Sequence, residues 1–209
     1  MMDSSRFLLF LTAAFLLAAA PGPGMLYVLA RSLAGGRREG VLSSLGTFLG
    51  GMVHVLAAAA GVSLVLARSA LAFATVKYAG AAYLCFLGVR MILNARREPT
   101  ELPAQALRPA GSPFTQGIAT EVLNPKTALF FLSFIPQFVN REAGHVFWQF
   151  AVLGSMSVML NTSADLVVTM LAGPLGNRIR SSARFRRRQR TATGVVMIGL
   201  GTYLATSKS

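Results

Sequence analysis

One cysteine, Cys85, in 209 residues excludes an intramolecular disulfide framework and any multi-cysteine metal site. Acidic residues are scarce too: seven Asp and Glu stand against twenty Lys and Arg, and all charged residues together make up 13% of the chain. Soluble domains carry roughly a quarter charged residues, so this chain lacks the ionisable side chains to cover a water-facing surface of ordinary polarity. Also missing are a Ser/His/acid set in a sensible context, a glycine-rich phosphate loop, paired histidine ligands and a Walker motif. The chain therefore reads as no enzyme, with no metal and no cofactor. Without an ATP site, moving a solute against its gradient would draw on an ion gradient.

What the chain has in abundance is apolar length. It is 54% hydrophobic with a mean hydropathy of +0.56. The apolar runs are 7–30, 41–66, 70–93, 115–139, 146–172 and 191–206. Crossing a hydrocarbon core of about 30 Å takes a helix of about 20 residues. The first five runs reach that length; the sixth, of 16 residues, is short. No run alternates as a membrane strand does, and Ala57–Ala60 would make a poor one. Helices satisfy their own backbone in lipid. The sequence predicts an all-α integral membrane protein of six transmembrane helices. Ala18-Ala19-Ala20 resembles a small-residue cleavage site, but Asp3 cancels Arg6 ahead of the first run and apolar character resumes at Met25, so the run is expected to be retained.

Most charges lie between the runs. With six spans, the loops 31–40, 94–114 and 173–190 share one face and hold fourteen basic residues, including Arg90 at a span edge. The other face holds Arg6, Arg68, Arg141 and Lys208. The bias in basic residues puts both termini outside the cytoplasm. The run Arg184–Arg190 reads as a topology anchor on anionic lipid, with no aromatic platform or motif for nucleic acid. The stretch 94–114, with four prolines, reads as a cytoplasmic connector between residues 1–93 and 115–209.

Two spans are interrupted alike. Pro21-Gly22-Pro23-Gly24 falls within the first, and Asn124-Pro125 within the fourth. Proline has no N–H, so Pro21 and Pro23 free the carbonyls of Leu17 and Ala19, and Pro125 frees that of Glu121. Free carbonyls at membrane depth are tolerated only against protein or in a watered cavity. Spans one and four open two three-helix halves, and because three is odd the halves must be inverted. Ala81-Ala82-Tyr83-Leu84 and Gly201-Thr202-Tyr203-Leu204 echo each other in spans three and six. Broken helices at matching positions of inverted halves point to a transporter's central site. Glu121, Lys126 and Asp165 fall inside spans, where each costs roughly 2.5–3.5 kcal/mol or more, so they are expected to face the interior or water. Glu121 and Lys126 would lie about 140° apart on an intact helix, and unwinding at the break would let them converge. Asn161 and Asp165 share a helix face. His54 is an intramembrane histidine suited either to proton exchange or to a quiet hydrogen bond. Lys77 is expected to snorkel to the outer interface, and Gly46-Thr47-Phe48-Leu49-Gly50 to pack helices.

These residues, in their order and spacing, resemble the LysE/RhtB amino-acid exporters of bacterial inner membranes. The likeness is carried by Pro21-Gly22-Pro23, Ala34-Gly35-Gly36-Arg37, Arg38-Glu39-Gly40 and Gly50 to His54. It continues through Lys77 to Leu84, Leu87-Gly88, Asn124-Pro125-Lys126, Phe134 to Phe138 and Ile198 to Gly201. The resemblance implies six helices, proton-driven export of amino acids or close derivatives, and a translocation region at Pro21-Gly22-Pro23 and Asn124-Pro125-Lys126. The chain departs from the pattern at Gly24, where many relatives carry Asn or Asp, and at Asn161, where relatives often place an acid. The expected substrate-binding residues are Pro21, Gly22, Pro23, Gly24, Asn124, Pro125, Lys126 and Asn161; Glu121, Asp165 and His54 are expected to couple the ion. The helix N-terminus after Gly24 would face the substrate carboxylate. Two other readings stay open: a non-transporting assembly or redox-relay subunit, and an exporter of an inorganic ion. The sequence leaves the oligomeric state open.

Overall fold

A computed structural model describes residues 4–68, 70–96, 111–140, 142–181 and 183–206. Among these the secondary structure is all helix. The elements are α1 (Ser4–Ala19), α2 (Pro23–Arg68), α3 (Ala70–Arg96), α4 (Pro113–Val122), α5 (Pro125–Leu129), α6 (Val146–Ser181) and α7 (Ala183–Thr206). A π-helical turn, Phe130–Phe134, and a 3₁₀ turn, Ile135–Phe138, extend α5.

The burial pattern is that of a protein dissolved in lipid. Leu123 is 79% exposed and Leu8 and Trp148 are each 66% exposed, while Glu121, Lys126, Lys77 and Asp165 are all buried. Large apolar groups pointing outward around a charged interior invert the arrangement that water selects. Lys77 corrects one expectation. It does not reach an outer interface: it is buried in the bundle, with Nζ 5.4 Å from the ring centroid of Tyr78.

Helix α2 is not one straight rod. Gly36 takes φ 74° and ψ −168°, a region essentially closed to side chains. A continuous helix would hold Gly24 and Thr47 about 34 Å apart; instead a Cβ on Gly24 would lie 3.7 Å from Thr47 Cγ2. The segments 23–35 and 37–68 therefore fold back on each other at Gly36. The expected loop 31–40 shrinks to that single residue, because Arg37, Arg38 and Glu39 are good helix formers once glycine has made the turn. Replacing Gly36 with alanine should cost about 1–3 kcal/mol of stability, measurable as a lower unfolding temperature in detergent.

A second loop is also helical. Within 173–190, α6 runs on to Ser181 and α7 starts at Ala183, eight residues before the apolar run. Hydropathy marks where lipid ends, not where the helix does. In Arg184–Arg190 the side chains described are those of Arg187 and Arg188, both exposed. Of the connector 94–114, residues 97–110 lie outside the described residues.

Glycines set the helix contacts. A Cβ on Gly46 would strike the Phe114 carbonyl, and one on Gly50 would lie 2.8 Å from that of Ile118, so 37–68 lies directly on α4. Gly51 meets Val158 of α6 at 3.0 Å. The echoed segments of spans three and six touch: a Cβ on Gly201 would lie 2.8 Å from the Ala81 carbonyl, and Gly88 and Gly194 face each other's carbonyls. Thus α3 packs on α7 while α1, α2, α4 and α6 enclose the centre.

Candidate functional site

Both interruptions expected from proline are breaks in the structure. Helix α1 stops at Ala19, residues 20–22 are not helical, and Pro23 opens α2 as its first residue. In the fourth span α4 ends at Val122. Asn124 then adopts extended angles (φ −78°, ψ 106°), as a residue before proline tends to. Its side chain accepts from Lys126 N at 3.1 Å and caps α5, with Pro125 as the first helical residue. The two pieces meet at 45°.

The carbonyls freed at the prolines each keep one local donor, Ala20 N to Leu17 O at 3.2 Å and Asn124 N to Glu121 O at 3.0 Å, and take a second partner far away in sequence. Lys126 Nζ donates to the carbonyl of Leu17 at 2.7 Å and to that of Ala20 at 2.5 Å. The second acceptor is Ala20 rather than Ala19, because the chain leaves the helix at that residue. His54 Nε2–H donates to the Glu121 carbonyl at 2.9 Å, its ring stacked 6.2 Å from that of Phe131. A carbonyl can only accept, so Nε2 carries the proton in this contact.

Glu121 and Lys126 converge on one cavity, but their own bonds run elsewhere. The Glu121 carboxylate accepts from Thr127 Oγ1 at 2.6 Å and from Asn124 Nδ2 at 3.1 Å. Both break glycines make room for these ions: a side chain at Gly24 would strike Glu121 Oε2, and a Cβ at Gly22 would lie 2.9 Å from Lys126 Cδ. The departure at Gly24 thus has a steric reason, since the Glu121 carboxylate fills the space a polar side chain there would take.

The cavity measures about 30 Å³, room for one or two waters. Thr47, Glu121, Lys126, Thr127, Ser157 and Asn161 supply its polar side; Ala14, Leu17, Ala18, Phe130, Phe131 and Val158 its apolar side. Asn161 is the expected span-five residue that reaches it. Asp165, one turn away, lies behind the wall: fully buried, it accepts from Thr47 Oγ1 at 3.0 Å through Oδ2, while Oδ1 has no partner among the described residues. Pro21, Gly22 and Asn124 are buried around the breaks, while Pro23 and Pro125, each the first residue of its helix, are exposed. Sequence reasoning misses Thr47, Thr127 and Ser157. Thr47 sits inside a glycine-spaced packing motif, which masks it, whereas the position of Thr127, two residues past Pro125, is a usable signal.

The two ends of the broken fourth span differ. At its start, Arg31, buried, donates to Gln116 Oε1 at 2.7 Å, to the Gly111 carbonyl at 3.2 Å and to Tyr27 Oη at 3.3 Å, and pairs with Glu39 at 3.2 Å. Tyr27 Oη donates to the Pro113 carbonyl at 2.8 Å. At its far end lies an open cleft of about 520 Å³ bordered by Phe7, Phe138, His145, Trp148 and Met156. Phe138 at the cleft packs against Phe10 and Phe134, and Phe131 at the cavity lies 6.4 Å from Phe150, ring centroid to ring centroid; Phe10, Phe131, Phe134 and Phe150 are all fully buried or nearly so.

Comparison with known proteins finds relatives along the length of the chain. The chain is 37% identical over 197 residues to an uncharacterized membrane protein of Pseudomonas aeruginosa, covering 90% of this chain and 88% of that one. It is 32% identical over 214 residues, the full length of both, to one of Vibrio cholerae. It is 27% identical to the leucine efflux protein of Salmonella typhimurium, over 96% of this chain and 94% of that one. No solved structure matches. Residues 15–208 match the family of LysE type translocators, and the chain belongs to that family.

Proposed function

We propose that this protein exports a neutral aliphatic amino acid across the bacterial inner membrane, driven by the proton gradient. The observation that supports it most is the meeting of two helix breaks at one cavity, with Glu121, Lys126 and Asn124 buried around it. A zwitterion needs both a cation partner and an anion partner, and a broken helix in lipid offers both, at its carbonyl end and beside its opening turn. The apolar wall of Ala14, Leu17, Ala18 and Val158 suits an aliphatic side chain, in keeping with a relative named for leucine efflux.

On this reading residues 1–93 and 115–209 are inverted three-helix halves, joined by 94–114, that rock about the cavity. Both termini are periplasmic, and Arg184–Arg190 rests on anionic lipid. A drug-sized pocket needs at least about 300 Å³, so a 30 Å³ cavity is an occluded state. The Arg31 cluster closes the basic side and the phenylalanines close the side of the cleft. Glu121 stands beside the substrate, and Asp165 carries the coupled proton.

The test is a panel of radiolabelled amino acids in everted vesicles under an imposed pH gradient. Accumulation of a neutral aliphatic amino acid that collapses with the gradient is expected. No gradient-dependent accumulation of any amino acid would end this reading. The gate has its own prediction. In a Cys85→Ser background carrying Ser43→Cys, a fully buried position whose carbonyl faces Gly117 beside the Arg31 partner Gln116, Arg31→Ala should raise labelling of the introduced thiol by a basic-side thiol reagent about tenfold, the effect of losing about 1.4 kcal/mol from the closed state. Unchanged labelling would remove Arg31 as a gate.

A further inference from the structure

We infer that the carbonyls of Leu17 and Ala20 form a receptor for a primary ammonium group, and that Lys126 occupies it in the empty protein as a stand-in for the substrate's own α-ammonium. This inference rests on the amino-acid reading above for the identity of the natural occupant, but not for the existence of the receptor.

Four observations meet here. The two carbonyls close the C-terminal end of α1, where the helix dipole favours a cation. Both accept from the same nitrogen, Lys126 Nζ, at 2.7 and 2.5 Å. Lys126 is buried and reaches them only because Gly22 has no side chain to obstruct its stem. Leu17 and Lys126 also both border the central cavity, so any withdrawal of the lysine adds its volume to that cavity.

In lipid these carbonyls cannot be left bare. A substrate that brings its own ammonium can take over both hydrogen bonds as the lysine leaves, like for like, with no unsatisfied carbonyl left behind. A zwitterion adds no net charge, so the released Lys126 faces the same total charge as before. A deaminated acid cannot make the exchange, because if Lys126 moves it leaves the Ala20 carbonyl unserved and the Leu17 carbonyl with only the Ala20 N–H at 3.2 Å. The role assigned to Lys126 from sequence thereby narrows: it competes with the substrate for one subsite.

The receptor is tested without knowing the substrate. Purified full-length Lys126→Ala is expected to gain several degrees in unfolding temperature on saturating addition of propylammonium, whose three carbons and nitrogen replace the deleted Cγ, Cδ, Cε and Nζ. Tetramethylammonium, which has no N–H to donate, should leave it unmoved, and the wild type should respond to neither. If Lys126→Ala does not fold, Lys126→Met keeps the stem and methylammonium becomes the probe. An unmoved variant, or equal responses to tetramethylammonium, would overturn the receptor. Transport separates the two ideas: in L-leucine counterflow, Lys126→Met should lower KM several-fold, whereas a lysine that binds the substrate carboxylate would raise it. A raised KM overturns the stand-in role. If alkylammonium binds but no amino acid is transported, the receptor stands and the amino-acid reading falls.

Discussion

Glu121→Gln should reduce transport by at least about 100-fold while leaving the yield of folded protein nearly unchanged. The geometry separates the two effects. Asn124 Oδ1 is committed to capping α5 through Lys126 N, so its amide cannot turn over and its Nδ2 must keep donating toward position 121. A glutamine can meet that donor with its oxygen and offer its NH₂ to Thr127, whose hydroxyl can accept as well as donate. Each contact survives in changed form, and the loss of stability should stay within about 1 kcal/mol. What is removed is the negative charge beside Gly24 and the cavity. A 100-fold loss corresponds to about 2.7 kcal/mol, an ordinary sum for a charge in a water-poor site. Counterflow of L-leucine in proteoliposomes, with size-exclusion chromatography of the same preparation, reads both quantities. Normal transport would make Glu121 a structural residue only.

How far the sequence carries is visible at the breaks. Proline's missing N–H identifies the carbonyls of Leu17 and Glu121 as needing partners, because that chemistry is local. It does not identify the partners: Lys126 is 109 residues from Leu17, and His54 is 67 residues from Glu121. Those distances are closed by tertiary packing. The same division explains Glu121 and Lys126. Unwinding at Asn124-Pro125 is legible and brings both toward one cavity, yet they do not pair. The lysine goes to the under-served carbonyls of Leu17 and Ala20 at a helix end, and the carboxylate to two neutral donors on its own segment. Charged stretches mislead in the opposite sense, since 31–40 and 173–190 read as loops by polarity and by their glycines while their arginines favour helix. Lys77 defeats sequence reading because snorkelling depends on which way a side chain points around the helix, and one lysine in an apolar run carries no such signal.

Asp165→Asn should separate exchange from driven export. Asp165 is fully buried on α6, and its two oxygens are treated differently: Oδ2 accepts from Thr47, which lines the cavity, while Oδ1 has no partner among the described residues. Buried polar atoms are nearly always satisfied, and an unsatisfied carboxylate oxygen one hydroxyl away from the cavity is where a proton would ride. Asparagine keeps the shape and can still accept from Thr47. Its NH₂ inherits the unpartnered position, a cost of about 1–3 kcal/mol of the same kind the aspartate already bears, so the fold should persist. It cannot, however, take up and release a proton. Exchange of amino acid for amino acid needs no net proton movement and should continue within a few-fold of the wild-type rate. Accumulation driven by a pH gradient should fall to the level set by equilibration alone. If the variant still concentrates amino acid under a pH gradient, the proton travels elsewhere, and Glu121, the buried carboxylate that borders the cavity, becomes its carrier.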